Sequence, residues 1–219
     1  MVTREGSRYL PPTMKLPSRK AVAHLRAVDP VFAGVIDRVG PCQARARVEG
    51  THFGAVMRSI VYQQLSGAAA ATIHGRVLAL FADEEPSPRA LLRMDDARLR
   101  AAGLSGQKTA YIKNLAAHAA KRSFPMERLH ELDDATVIDT LTQVKGVGRW
   151  TAQMFLMFRL GRPDVLPDLD LGIQKGIQLA YGLRRLPKPE QVLKRGVPWA
   201  PYRTIASWYL WRVLDLPTD

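Results

Sequence analysis

The chain has 219 residues, 47% of them hydrophobic, enough for a substantial core in one domain or in two small lobes sharing a cleft. Its 32 lysines and arginines against 20 acids give a net charge of +12 and a pI near 10.3, which favours a polyanionic partner. Cys42 is the single cysteine, which excludes intramolecular disulfides, cysteine-rich zinc sites and a four-cysteine iron–sulfur cluster, and no apolar run nears the ~18 residues of a membrane span.

Met1 to Pro17 carry three prolines and little periodicity and read as an extended, mobile leader. They lack the charged and then apolar regions of an export signal, so the expected compartment is the cytoplasm, at the nucleoid in a bacterium. Helical patterning begins at Ser18: SRKAVAHLRAVD opens on a serine cap, and DPVFAGVIDRVG on Asp29 with Pro30 in its first turn. Gly40-Pro41 stops the second helix, and the basic, aperiodic CQARARVEG is a connector. THFGAVMRSIVYQQ and SGAAAATIHGRVLALFA form two helices that join through Gln63, Gln64 and Leu65. SPRALLRM and DDARLRAAG are short capped helices, GLSGQKTAYIKNLAAHAAK turns at Gly103 to Gly106 into a long one, and FPMERLHEL and DDATVIDTLTQV follow. Beyond the central stretch lie a helix from Asp170 to Tyr181, a basic proline-rich loop and a last helix, APYRTIASWYLWRVLD. No strand pair or internal repeat is evident, and the fold class is all-α.

The most constrained stretch is TLTQVKGVGRWTAQMFLMFRLGRPDVLPDLDLGIQKG, Thr140 to Gly176. Two glycines in Val144-Lys145-Gly146-Val147-Gly148 allow positive φ and a close approach of bare amides to a phosphate. A buried helix runs from Arg149 to Leu160, and Gly161, Pro163 and Pro167 shape a loop that delivers Asp168 and Asp170 ahead of the next helix. From local pattern alone the two acids are not ranked, and Asp164 reads as turn chemistry.

VKGVGRWTA, with the Gly/Pro-rich loop and aspartate behind it, resembles the signature of the helix-hairpin-helix DNA glycosylase superfamily. SIVYQQLSGAAAATIHGRV, GLSGQKTAYIKNLA and WAPYRTIASWYLWR resemble its 3-methyladenine DNA glycosylase II branch, so the likeness runs from Val31 to Leu214. The resemblance implies two helical lobes flanking a DNA cleft: a central lobe, 50–144, and a second built from 18–49 and 145–219. Too few residues precede Val31 for the N-terminal β domain of longer relatives, so none is expected. The implied activity is monofunctional hydrolytic excision of alkylated purines from damaged double-stranded DNA, by a monomer, leaving an abasic site for base excision repair. The alternatives are a glycosylase for oxidised or mismatched bases and a non-catalytic DNA-binding module.

Residue by residue, the resemblance makes Asp170 the catalytic acid, since it matches the second of the family's paired aspartates; Leu169 stands where the first is usual, and Asp168 is displaced. Trp150 occupies the position where bifunctional relatives carry a lyase lysine, which argues against an imine with the sugar. Trp150 and Trp211 match the base pocket, Met154 replaces an aromatic there, Tyr62 is a further candidate and Trp208 reads as core. The hairpin residues Lys145, Gly146, Val147, Gly148 and Arg149 would grip DNA, with Lys145 where proline is usual. Gln63, Gln64 and Leu65 match the segment that replaces the flipped base, with Gln64 at the intercalating position, and Lys108 is a phosphate candidate. Arg203 and Arg212 are further basic candidates for the DNA face. In relatives a monovalent cation sits on hairpin carbonyls, here those of Thr142, Val144 and Val147; no other cofactor is required, and no iron–sulfur cluster is expected. The five histidines, at 24, 52, 74, 118 and 130, show no metal-ligand spacing.

Overall fold

The computed structural model describes residues 13–47, 50–82 and 85–217. Among the described residues twelve α-helices follow one another: α1 (Ser18–Val28), α2 (Pro30–Val39), α3 (His52–Tyr62), α4 (Gly67–Leu78), α5 (Pro88–Arg93), α6 (Asp96–Ala101), α7 (Gly106–Ala119), α8 (Asp134–Thr142), α9 (Arg149–Phe158), α10 (Leu171–Ala180), α11 (Pro189–Arg195) and α12 (Arg203–Arg212). Short 3₁₀ turns cover Met126–Glu131 and Val213–Asp215. Side chains of Asp29, Thr51, Ser66, Ser87, Ser105, Asp133 and Asp170 accept the orphan amides of the helices they precede, so the boundaries fall where polar caps stand in the sequence.

The expectation of no strand pair fails in one place. Thr13–Lys15 (β1) pairs antiparallel with Arg45–Arg47 (β2), with Met14 opposite Ala46. The end of the leader is thus fixed rather than mobile, with Leu16 buried, and the connector supplies its partner. Three residues are too few to display alternation, although Ala46 is buried between exposed Arg45 and Arg47. The ribbon lies over the turn that ends α9: Gly161 has φ +66°, and a Cβ there would run into Met14 Cε. The remainder of the leader lies outside the described residues.

Buried side chains form two clusters. The first joins α3 and α7 to α9 through Phe53, Ile60, Ile112, Leu115, Phe155 and Leu156. The second joins α1, α2, α10 and α12 through Leu25, Phe32, Ile177, Ile205 and Leu210. The hairpin helix α9 therefore gives its apolar face to the central core, and Trp211 packs against both clusters. Trp208 packs on the second, edge-on to Tyr209.

One carboxylate ties the second cluster together. Asp29 Oδ1 caps α2 at Val31 N (3.0 Å), while Oδ2 accepts from Trp199 Nε1 (2.9 Å) and from the Tyr181 hydroxyl. Burial and the Asp29 carboxylate push the Tyr181 phenol up, so it remains a donor. Asp29→Ala removes the cap and orphans two donors, and a loss of about 3 kcal/mol is expected in denaturant unfolding.

A second polar group joins α3 to the end of α9. Arg159 Nε donates to His52 Nδ1 (3.1 Å), which leaves the His52 proton on Nε2, facing His130 Nδ1 at 3.3 Å. Burial, then the charges of Arg159 and His130, pull His52 down to about 4. The unfolded imidazole takes a proton near pH 6.5 and the folded one does not, so this contribution is whole above about pH 6.5 and is lost as pH falls toward 4. Melting temperatures between pH 7 and 4.5 should fall less steeply for His52→Gln than for the natural chain.

Candidate active site and nucleic-acid interface

Asp170 is the N-cap of α10, its Oδ1 accepting from Ile173 N at 2.8 Å. Two indoles from different helices point their N–H groups at the same carboxylate: Trp211 Nε1 to Oδ1 at 2.9 Å and Trp150 Nε1 to Oδ2 at 2.7 Å. These three donors use three of the four lone-pair directions of a carboxylate and leave one on Oδ2 for a further partner. Trp150 keeps 43% of its surface exposed, so its indole both holds the acid and offers a ring to a ligand. Leu169 and Leu171, 54% and 53% exposed, flank the acid with apolar surface.

The approach of Trp211 depends on a missing side chain. A Cβ on Gly172 would lie 2.8 Å from Trp211 Cδ1 and 2.9 Å from Asp170 Oδ1, and one on Gly176, one turn later, would collide with the Leu210 carbonyl. Neither glycine has positive φ, so space rather than backbone conformation requires them.

The loop that carries Asp170 is clamped from both sides. Arg203, in the first turn of α12, forms a fork on Asp164 with both contacts at 2.7 Å, which raises the Arg203 pKa and extends the turn reading of Asp164. Thr204 Oγ1 donates to Arg162 O and accepts from Val165 N. From α9, Gln153 Nε2 reaches Leu166 O at 3.3 Å. Asp168 is buried, with Arg149 Nη2 3.2 Å from its Oδ1 but not aligned as a hydrogen bond. Arg212 pairs with Asp215 at 3.0 Å.

Between α3, α4 and α9 lies a cavity of about 550 Å³, whose lining does not include Asp170, Trp150 or Trp211. Its lining includes Tyr62, Arg58, His74, Met154, Phe155 and Phe158. Phe158 also packs against Trp211 with ring centroids 5.9 Å apart, which links the cavity to the acid. Met154 and Tyr62 therefore stand together, while Trp150 and Trp211 stand at the carboxylate. One face of Tyr62 is covered by the Arg58 guanidinium, 3.9 Å from the ring centroid.

The hairpin turn has one obligatory glycine. Gly146 has φ +83°, and a Cβ there would enter the Tyr111 ring. Gly148 has φ −91° and serves as the N-cap of α9, and a Cβ there would meet nothing within 4 Å. Lys145 is exposed, and its amide donates to Asn114 Oδ1 at 2.8 Å, a bond that proline could not make. The neighbouring loop is braced on the hairpin by Gln63 Nε2, which donates to Gly146 O at 2.9 Å. Lys108 Nζ donates to Val61 O and Gln63 O, both at 2.7 Å, so its ammonium caps α3. Gln64 and Leu65 are left exposed at the tip, and Gln64 takes φ +56°, a conformation that non-glycine residues seldom adopt. At the end of α8, Val144 O accepts from Val147 N at 3.0 Å and has a second lone pair; among the described residues no backbone amide donates to the carbonyls of Thr142 or Val147. Carbonyl oxygens with open lone pairs are the ligand type that hard cations take. No cluster of histidine, cysteine and acid with metal-binding geometry occurs among the described residues.

Residues 57–201 match the HhH-GPD superfamily base excision DNA repair protein family. The chain is a member of that superfamily. DNA-3-methyladenine glycosylase 1 of Schizosaccharomyces pombe is 34% identical over 200 residues, spanning 90% of this chain and 88% of that protein. The structure of an S. pombe 3-methyladenine DNA glycosylase in complex with abasic DNA is similar with a TM-score of 0.80 and 33% identity, covering 91% of this chain and 100% of that one. A crystal structure of DNA-3-methyladenine glycosidase from Bacillus halodurans is similar at 36% identity and a TM-score of 0.78, covering 92% and 91%. Among the described residues, no helix of this HhH-GPD protein is long and apolar enough to cross a membrane.

Several residues of the HhH-GPD site escape sequence reading. Gly172 and Gly176 carry a signal, two glycines on one face of α10, but it points to packing only once Trp211 is known to lie there. Asn114 and Arg58 sit mid-helix with no local mark. Gly172→Ala should displace Trp211 from Asp170 and slow single-turnover base release by about 100-fold, with a melting temperature close to that of the natural chain. Gly146→Ala, in contrast, should lower both the melting temperature and DNA affinity in a binding titration, because ring and backbone must both move.

Proposed function

We propose that this protein is a monofunctional DNA glycosylase that flips an alkylated purine of the 3-methyladenine type out of duplex DNA and hydrolyses the bond from base to sugar, leaving an abasic site. The observation that carries this reading is the Asp170 carboxylate, held by three donors with one lone pair open beside an exposed indole; a base-sized cavity is connected to it through the Phe158–Trp211 contact. The names of the similar proteins, 3-methyladenine DNA glycosylases among them, and the abasic DNA in one of their structures support it.

In the reaction the bond from C1′ to the ring nitrogen breaks and its electron pair leaves with the base. Alkylation at a ring nitrogen has already made the purine cationic, so the base departs neutral without a general acid. Asp170 stabilises the oxocarbenium-like sugar electrostatically, and its open Oδ2 position takes the proton of the water that attacks C1′. Trp150 and Trp211 hold the carboxylate at their N–H groups, and the Trp150 ring stacks on the cationic base. No lysine stands at Trp150, so the sugar forms no imine.

Grip comes from the amides of Gly146 and Gly148 and from the positive end of α9, with Lys145 and Arg149 adding charge, while the Val147 amide, a candidate from sequence, is spent on Val144 O. Thr142, Val144 and Val147 carbonyls would hold Na⁺ or K⁺, and the ion would add positive charge beside the phosphate. Gln64, with Leu65 next to it, fills the gap left by the flipped base. The protein works as a monomer in the cytoplasm.

Asp170→Asn should reduce release of 3-methyladenine from methylated duplex DNA by on the order of 1000-fold; near-normal release would sink the assignment. Borohydride treatment during turnover should trap no covalent DNA adduct, and a trapped adduct would show lyase chemistry.

A further inference from the structure

We propose that Arg58 reads the edge of the flipped base and favours purine lesions that present two acceptors on their major-groove edge. The inference rests on the glycosylase reading above and deepens it by assigning the residue that sorts lesions within the cavity.

Arg58 and Tyr62 lie one turn apart on α3, and the guanidinium sits over the tyrosine ring, 3.9 Å from its centroid. This contact covers one face of the ring and uses none of the guanidinium's N–H donors. Among the described residues Arg58 makes no hydrogen bond or ion pair, although Glu85 lines the same cavity. A base cannot stack on the Tyr62 face that Arg58 occupies. At this wall it meets instead a rigid fork of donors, which Arg offers and Lys does not. His74, edge-on to Tyr62 with centroids 6.0 Å apart, closes the same side.

Met154 is what gives the base room to reach that fork. An aromatic at this position would fill the space between α9 and α3, whereas methionine is flexible and leaves the cavity open. Two further arginines line the cavity, Arg47 on β2 and Arg159 just past the end of α9; Arg159 is engaged by His52 and by the carbonyls of Arg47 and Gly50.

Guanine presents O6 and N7, two acceptors that match an arginine fork, while adenine presents N7 beside an amino donor that opposes it. Methylation at N3 leaves both edges intact. 3-Methylguanine and 3-methyladenine therefore carry the same activated bond and differ at the edge that Arg58 faces.

The test is to treat one batch of duplex DNA with a methylating agent and measure the release of both bases by mass spectrometry, so that each sample carries its own control. The natural chain should release both. Arg58→Met should lower the ratio of 3-methylguanine to 3-methyladenine release by about tenfold, the size of one bidentate contact, and Arg58→Lys should lower it nearly as far, because charge remains but the fork is lost. A ratio within twofold of the natural one in both variants would overturn the proposal, as would an equal loss of both bases, which would give Arg58 a structural task. Release of 3-methyladenine without 3-methylguanine by the natural chain would overturn it too while leaving the glycosylase reading intact. Release of neither base would remove both.

Discussion

The whole site hangs on a helix cap. Asp170 closes the first turn of α10, and the same carboxylate is the meeting point of two indole N–H groups carried by α9 and α12. A cap ordinarily satisfies one orphan amide and faces water on its other side. Here the remaining acceptor capacity is nearly used up by rigid donors anchored in two separate cores, so the acid has one orientation. Its side chain is thereby preorganised before any ligand arrives, which is the condition under which a fixed charge acts most strongly on a developing opposite charge.

That arrangement demands a firm frame, and the loop from Gly161 to Asp170 receives one from α9 and α12. Arg203 and Thr204 at the start of α12 hold its first half, and Gln153 from α9 holds a carbonyl farther along. Gly172 and Gly176 let α12 settle close enough for Trp211 to reach the acid. Because Trp211 packs on both hydrophobic clusters, the position of the acid reports the relative placement of the two clusters.

The helical elements were largely legible, since polar caps and glycine stops bracket apolar periodic runs; Asp29-Pro30, Ser105 and Asp133 are examples. The β1 and β2 ribbon was not, because three-residue strands hold too little pattern to outweigh their proline-rich and basic surroundings. At the site, the likeness to the family singled out Asp170, Trp150 and Trp211, and the structure brings the three together, with both indoles bonded to the acid. Lys108 and Gln63 show the limit. Basic or polar residues near a DNA-facing loop look like ligands in one dimension, yet both are spent inside the protein, on the end of α3 and on the hairpin carbonyl. Which donor meets which acceptor across 31 to 83 positions of chain is a property of the packing and leaves no local trace.

The hairpin shows what such packing substitutes for. Where relatives fix the turn with a proline ring, this chain fixes it with the Lys145 amide on Asn114. A ring restrains one torsion covalently at every temperature, whereas a hydrogen bond of about 1 kcal/mol is an equilibrium that opens and closes. The shape of the hairpin is therefore bound to the integrity of α7, which carries Asn114, so loosening the central lobe loosens the grip as well. The shape of the hairpin and the packing of the helix that carries Asn114 are thereby coupled through one bond.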